Sequence, residues 1–532
     1  MFRTVQNGIL QATKISMLET KVVEFLSEIF KKYDLAGEIE VNVASEKRFG
    51  DFFTNYLLKN RVDKQITEKI VEELRNSKIF GKVELVGAGF LNLWISDEIL
   101  TETFADITID SKFGKKDLGS GKSAVIEIVS ANPTGPIHLG NARGGPIGDV
   151  LASLFEFFGY KVTREFYLNN IGGQVKKFKD SIQSIHSGTE ASEYSGEFYE
   201  TLAKNVKGDS EKAFEEVITS IKKDLEDLGV KYDNWVTESS IKEEKTEQII
   251  HYLMEKGLTK EKDGALWFAP SNEFLEDREC VLLRSDEGNT PTYFANDIAY
   301  HKDKYDRGYE AIVNIWGANH HGHVPRMKAA MKALGSEYDP EKLEVVLYQW
   351  VSLIENGKKK SMSKRKGDFV TLREVLDAVG KDPIRFAFLS RDYNTPQDID
   401  LETLVKKDKE NQLYYIQYAL ARVNSILVKA EDSVVNNKSL SKLELEREKE
   451  MIMKILTYPE VLLGAYKERK VHRICFYLLE LSDLWHKYYE ETSILSEEDA
   501  EVRNARLYLA KSIGETIKLG LGILGIAAPD RM

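Results

Sequence analysis

The stretch from residue 124 to 168 constrains this chain most, because it spells a strand, a sharp loop, a helix and a second strand with few residues left over. Residues 124–129 are apolar apart from Glu127, the pattern of a strand covered on both faces. Pro133, Gly135 and Pro136 make the next stretch a turn-rich loop. Beyond His-Leu-Gly-Asn at 138–141, apolar residues recur with helical spacing at Ile147, Val150, Leu151, Leu154, Phe155 and Phe158, and Gly159 stops the run. Residues 160–168 read as another strand. Two strands joined through one helix by short connections form a βαβ unit, which implies a parallel sheet of the doubly wound type.

The rest of the chain arranges itself around that unit. At roughly 100–200 residues per domain, 532 residues suggest about three domains. Residues 1–114 mix a helical pattern (Val22, Val23, Phe25, Leu26, Ile29) with strand alternation (Val83, Leu85, then Leu91, Leu93, Ile95) around Gly87 and Gly89, as in a small α/β domain. A Gly/Ser/Lys-rich linker at 115–122 opens the central domain, 115–390. Within it, residues 175–275 are charged and mainly helical, as an insertion would be, and the apolar runs 280–283 and 311–315 are expected to return to the central sheet. Leu413, Ile416, Leu420, Val423 and Leu427 line one helix face, so 391–532 reads as an α-helical bundle. The fold class is therefore α/β: a Rossmann-type, doubly wound central domain with a small N-terminal α/β domain and a helical C-terminal bundle.

Composition excludes several functions. Cys280 and Cys475 are the only cysteines, too few and too distant for a disulfide framework or thiolate zinc site, which favours a reducing compartment. No run approaches the roughly 18 apolar residues that span a bilayer, and no basic-then-apolar leader opens the chain. A cytoplasmic protein without a membrane partner is expected. The formal charge of -12 argues against a wholesale nucleic-acid binder, but six of the nine residues at 358–366 are cations, and a local basic patch suffices to hold a polyanion.

Two segments carry chemistry. The helix after the first strand begins with Gly140, Gly144, Gly145 and Gly148, and Gly140 lets a ligand approach the backbone while His138 can donate to phosphate oxygens. Read alone, this fits a nucleotide site and a glycine-rich structural helix start about equally, and it is neither a Walker A loop nor a dinucleotide fingerprint. The second is Ser-Met-Ser-Lys-Arg-Lys-Gly at 361–367. Its lysines could swing onto a triphosphate and stabilise a leaving pyrophosphate; read alone, a solvated basic loop explains it better.

Together the segments resemble the paired signatures of class I aminoacyl-tRNA synthetases, His-Ile-Gly-His and Lys-Met-Ser-Lys-Ser. The wider wording resembles the arginyl-tRNA synthetase family: residues 130–143, Thr-Tyr-Phe-Ala-Asn-Asp-Ile-Ala-Tyr at 292–300, Trp-Gly-Ala-Asn-His-His-Gly-His at 316–323, Ala-Pro-Asp-Arg-Met at 528–532, and Phe-Gly-Asp at 49–51 with Asn55. That resemblance covers nearly the whole chain. It implies a ligase that joins arginine to ATP as arginyl-adenylate and transfers it to the terminal ribose of tRNA(Arg), with tRNA required for adenylate formation. ATP enters with Mg2+, and no protein metal site is implied.

The resemblance also implies roles residue by residue. His138, Gly140 and Asn141 cradle ATP, Lys364 reaches its phosphates, and His138, Asn141 and Lys364 form the catalytic set. Tyr293 and Asp297 hold the guanidinium, with Glu127 as a second carboxylate and His321 beside them, while Asn132 orients the backbone end of arginine. These types suit a guanidinium, which offers five donors and no acceptor, and the i, i+4 spacing of Tyr293 and Asp297 puts both on one helix face. Tyr415, Tyr418 and Arg422, at i, i+3 and i+7, present the flat groups that unstacked bases need. The resemblance gives that face and Met532 to the anticodon loop, and the 1–114 domain, with Asn92, to the tRNA elbow. His320, His321 and His323 lack the companion ligands of a tetrahedral metal site.

Four positions depart from the family wording: Asn141 for the second histidine, Ser361 for the first lysine, Asn319 for an aspartate and Ala88 for a proline. They bear on rate and phosphate contacts. The competing readings are another class I synthetase, a non-catalytic RNA-binding relative, and an adenylate-forming enzyme without RNA, which leaves residues 400–532 unemployed. A monomer is expected.

Overall fold

The computed structural model describes residues 17–44, 46–190, 193–241, 243–270, 279–285, 290–355, 358–360, 370–430 and 435–532; Lys364 and the rest of its loop lie outside the described residues. The central sheet has five strands: β1 (Ser123–Ile128), β2 (Lys161–Leu168), β3 (Asn234–Thr237), β4 (Ala311–Gly317) and β5 (Leu343–Tyr348). Their order is β5-β4-β1-β2-β3, and every neighbouring pair is parallel. The order reverses between β1 and β4, so a crevice opens at their carboxyl ends, where ligands of doubly wound sheets sit.

Strand alternation distributes side chains to two helices. Ala124, Ile126 and Ile128 pack in the core that includes helix α1 (Gly144–Phe157). Gly148 allows this helix to lie on β1, since a Cβ there would stand 2.8 Å from Ile128. Val125 packs on the opposite face, against helix α2 (Tyr293–Asp306), and Glu127, two residues on, faces the same way. The site depends on that one charged residue in an apolar strand.

Two expectations need correcting. Cys280–Leu283 does not join the central sheet: it pairs antiparallel with Ala265–Phe268, which pairs with Thr259–Lys262, in a separate three-stranded sheet. An apolar run marks burial without naming its partner, and a hairpin neighbour was nearer. The inserted segment is likewise not all insertion. Its helices Gly173–Ser187, Glu197–Asn205 and Ser210–Asp227 precede β3, the sheet's edge strand, whose four half-buried residues carry no apolar run.

The N-terminal unit packs helix Met17–Lys32 with a four-stranded antiparallel sheet, whose hairpin Phe80–Val86/Phe90–Ile95 turns through Gly87 and Gly89, both at positive φ. Asn92, implied as a tRNA contact, is 3% exposed. Its neighbours Leu91 and Leu93 are buried too, so both faces of this strand are covered and alternation does not bring Asn92 to the surface. The C-terminal bundle is built on α3 (Gln412–Lys429), α4 (His472–Glu491) and α5 (Ala500–Ile523), with Leu413, Ile416, Leu420 and Val423 buried on α3. Arg385 fastens this bundle to the rest: its guanidinium donates to the carbonyls of Leu228, Gly229 and Leu524 and to Asp149 at 2.7 Å.

Candidate functional site

At the end of β1 the chain turns through two consecutive non-glycine residues with positive φ, Val129 (69°) and Ser130 (40°). A β-branched residue in that region is strained, and such strain gathers where a structure forces a particular loop path. The Ser130 N–H donates to the Ile128 carbonyl at 2.9 Å, and the Ser130 hydroxyl accepts the Tyr167 N–H at 3.1 Å, which ties the turn to β2. The loop then carries Asn132, exposed, whose amide bridges Gln174 (2.8 Å) and Asn169 (3.0 Å).

His138 caps the short helix Leu139–Ala142: its Nδ1 accepts the Asn141 N–H at 3.1 Å, which places the ring proton on Nε2. A Cβ on Gly140 would stand 3.1 Å from that Nδ1, so glycine keeps the imidazole in place. The Asn141 carbonyl accepts the Tyr348 hydroxyl at 3.3 Å, and burial pushes Tyr348 up to about 12. Leu139 N–H reaches the Val370 carbonyl (3.1 Å) and Leu372 N–H the Ile137 carbonyl (2.7 Å), so the chain leaving the lysine-rich loop pairs directly with this segment.

Beside it lies a row of polar residues in parallel register across the sheet: Asn314, Glu127, Glu165 and Asn234. Helix α2 crosses this row and neutralises it. Lys304, 0% exposed, donates to Glu127 Oε2 at 2.5 Å and Asn314 Oδ1 at 2.9 Å. Arg307 makes a two-pronged pair with Glu165 (2.6 and 2.9 Å), which also accepts the Tyr300 hydroxyl. Trp316 donates its indole N–H to Glu127 Oε1 at 3.4 Å. The Glu127 carboxylate is thus one layer below the crevice, already matched by a cation.

The N-terminal half of α2 carries the opposite charge over the strand ends. Asn314 Nδ2 lies 2.7 Å from His301 Nε2, which directs the Nδ1 proton to the Asp297 carbonyl (2.8 Å) and Oδ1 (3.1 Å). His323 Nε2 approaches Asp297 Oδ2 at 2.5 Å. Burial would raise Asp297, but His301 and the hydrogen bonds of both histidines outweigh it and hold the carboxyl well below the usual range. Tyr293, one turn earlier, keeps its ring half exposed while its hydroxyl meets Asn169; burial and the Asp297 charge raise its pKa strongly. Glu238, buried and holding Asn296, adds a further carboxyl, raised by burial and by Asp297.

Of the residues read from the sequence, Asn132 and Tyr293 come together through Asn169, the Asp297 charge acts on Tyr293 from one turn further along the helix, and Glu127 joins Asp297 through the chain Lys304–Asn314–His301. His321 does not join them: it is exposed at the end of the turn Ala318–His320, and His323, two residues on, is the histidine in contact with Asp297. The sequence reading missed Lys304, His301, Asn314 and Tyr167. Lys304 lies seven residues after Asp297, two helical turns on the same face, a spacing that could have shown it. The chemistry available is that of a cluster of carboxylates and phenols suited to a donor-rich cation, and of a histidine-capped loop, leaving the same strand β1 that carries Glu127, suited to a nucleotide.

On the C-terminal bundle, Tyr415, Tyr418 and Arg422 form one cluster with two residues of α4. The His486 ring lies 4.3 Å from Tyr415 and 5.7 Å from Tyr418, and the Arg422 guanidinium stands over Tyr418 (4.6 Å) and Tyr489 (4.8 Å). Arg422 Nη1 donates to His486 Nδ1 at 3.1 Å, and His486 Nε2 lies 3.0 Å from the Tyr415 carbonyl. Gln417 and Asn424 hold the carbonyls of Ala527 and Asp530, so the tail runs along α3 to the exposed Met532.

Comparison with known proteins agrees with this architecture. The family model "tRNA synthetases class I (R), catalytic domain" matches residues 104–183 and 176–385, "Arginyl tRNA synthetase N terminal domain" matches 16–95, and "DALR anticodon binding domain" matches 416–532. An arginine–tRNA ligase of Caldanaerobacter subterraneus is 38% identical over 553 residues, covering 96% of this chain and 97% of the relative. One from Aquifex aeolicus is 36% identical, covering 97% and 100%. The structure of Thermus thermophilus arginyl-tRNA synthetase shares the fold, with a TM-score of 0.77 at 22% identity over 97% of this chain and 100% of that one. The chain belongs to the arginyl-tRNA synthetase family of class I aminoacyl-tRNA synthetases.

Proposed function

We propose that this chain is an arginine–tRNA ligase. The arginine carboxylate attacks the α-phosphorus of ATP, giving arginyl-adenylate and pyrophosphate; the terminal ribose hydroxyl of tRNA(Arg) then attacks the adenylate carbonyl and AMP leaves. The observation that carries this reading is Asp297: a buried carboxylate kept ionised by two histidines, under the Tyr293 hydroxyl, at the crevice end of the sheet. A planar cation with five donors satisfies such a group, where a smaller or neutral side chain leaves it unpaired.

Tyr293 and Asp297 take the guanidinium, Asn132 the backbone end. Glu127, paired with Lys304, sets the field beneath them. His138 offers its Nε2 proton to ATP, with Gly140 and Asn141 beside it, and Lys364 neutralises the departing pyrophosphate, so catalysis rests on positioning and charge stabilisation. Mg2+ arrives on ATP as part of the substrate. Residues 115–390 catalyse, 391–532 hold the anticodon loop through Tyr415, Tyr418, Arg422 and Met532, and 1–114 meets the tRNA elbow, with Asn92 acting from inside its sheet. The protein works as a cytoplasmic monomer; no described helix is long and apolar enough to cross a membrane.

The test is a charging assay with purified protein, ATP, magnesium and transcribed tRNA(Arg), run across the amino acids. Arginine alone should be esterified, and pyrophosphate exchange should need tRNA. Charging of another amino acid in preference, or none at any salt concentration, overturns the reading.

A further inference from the structure

Tyr167 lies two residues beyond Glu165 on β2, hence on the face covered by α2. Its ring stacks on Tyr300 at 4.0 Å and 13°, which fixes the direction of its phenol. The residue is 3% exposed, yet the hydroxyl has no hydrogen-bond partner among the described residues, and neither has the side-chain carbonyl of Asn169 on the same wall. Buried tyrosine hydroxyls ordinarily find partners, so two orphaned oxygens two residues apart in the chain call for an explanation. Both can accept. The charges that act on the Tyr167 hydroxyl, beyond the effect of burial itself, come from Glu238, Asp297, Tyr293 and Glu127, carboxylates and another phenol. An accepting oxygen left unused beside carboxylates is what a guanidinium, which carries five donors and no acceptor, would satisfy.

We propose that Tyr167 is a specificity-determining residue whose hydroxyl accepts an N–H of the substrate guanidinium, completing the set begun by Asp297 and Tyr293. The inference rests on the reading that this pocket takes arginine. A hydroxyl left without a partner in the free protein and satisfied only by substrate has a signature that a structural hydroxyl lacks: removing it costs the free protein nothing and costs the complex a hydrogen bond.

Tyr167→Phe tests this through three measurements: the thermal midpoint without ligand, KM for arginine, ATP and tRNA, and inhibition by agmatine, which keeps the guanidinium and lacks the carboxylate. The midpoint should stay level or rise, KM for arginine should rise about 10-fold or more, agmatine should weaken by the same factor, and the ATP and tRNA values should hold within about twofold. A lowered midpoint with unchanged arginine KM overturns the proposal in favour of a packing role. A loss confined to arginine, with agmatine unaffected, places the hydroxyl at the carboxylate end and also overturns it. Failure of the wild-type protein to charge arginine defeats the underlying reading, a result separate from any behaviour of the variant.

Discussion

Replacing Lys304 by Met tests whether the sheet-crossing charge row supports the site. The methionine fills a similar volume and removes one cation, which in the native protein lies 2.5 Å from Glu127 and 2.9 Å from Asn314 with no exposure to solvent. Glu127 is then left buried with the Trp316 indole as its remaining donor among the described residues. Breaking a buried pair from one side costs about 3–5 kcal/mol, because the surviving charge has neither water nor a partner. The second effect is positional. Asn314 loses the bond that orients it, and through His301 so does Asp297, so KM for arginine should rise while KM for ATP holds. The assay is urea unfolding at constant slope, with the double variant Lys304→Met/Glu127→Gln as control. Removing the orphaned charge should recover most of the loss. A single variant that costs under about 1 kcal/mol, or two substitutions that simply add, would refute the reasoning.

Three further outcomes follow from the geometry. Asp297→Asn should raise KM for arginine on the order of 100-fold, about 3 kcal/mol, in steady-state charging. Because Asp297 is held below its unfolded pKa, its stabilising contribution is present above about pH 4 and drains as pH falls toward the folded value; a pH series of melting curves should show a flatter acid limb in the variant. His486→Phe keeps a ring between Tyr415 and Tyr418 but drops the bonds to Arg422 and the Tyr415 carbonyl, so KM for tRNA should rise about 5- to 10-fold with the arginine and ATP values unchanged. Arg385→Met should cost about 3–5 kcal/mol by urea unfolding, since it strips Asp149 and three buried carbonyls of their shared donor.

What was legible in the sequence was local. The β1–α1–β2 unit stood out because buried strands write themselves as apolar runs and a glycine at positive φ ends the helix. Tyr293 with Asp297, and Tyr415, Tyr418 and Arg422, could be grouped because helical spacing alone brings them to one face. What stayed hidden needed distant partners. Lys304 reads as an ordinary helix lysine until Glu127, 177 positions earlier, is seen beneath it. Tyr167 reads as strand filler until its hydroxyl is found without a partner among the described residues. His323 and His321 differ by two places in a turn, a distinction that spacing does not make, and His486 enters the tyrosine face from another helix 64 residues beyond Arg422. Asn92 was named through the family resemblance, which carries no information on burial, and the structure covers both faces of its strand.

The turn at Val129 and Ser130 works as a gauge. Two successive residues held in an uncomfortable conformation leave the departing chain no latitude in direction, so, with the roles proposed above for Asn132 and His138, the count of positions from there to each becomes the ruler that spaces the amino acid from the triphosphate. Adding or deleting one residue in that interval would leave every strand paired and every core side chain seated, and would still present the two reactants out of step.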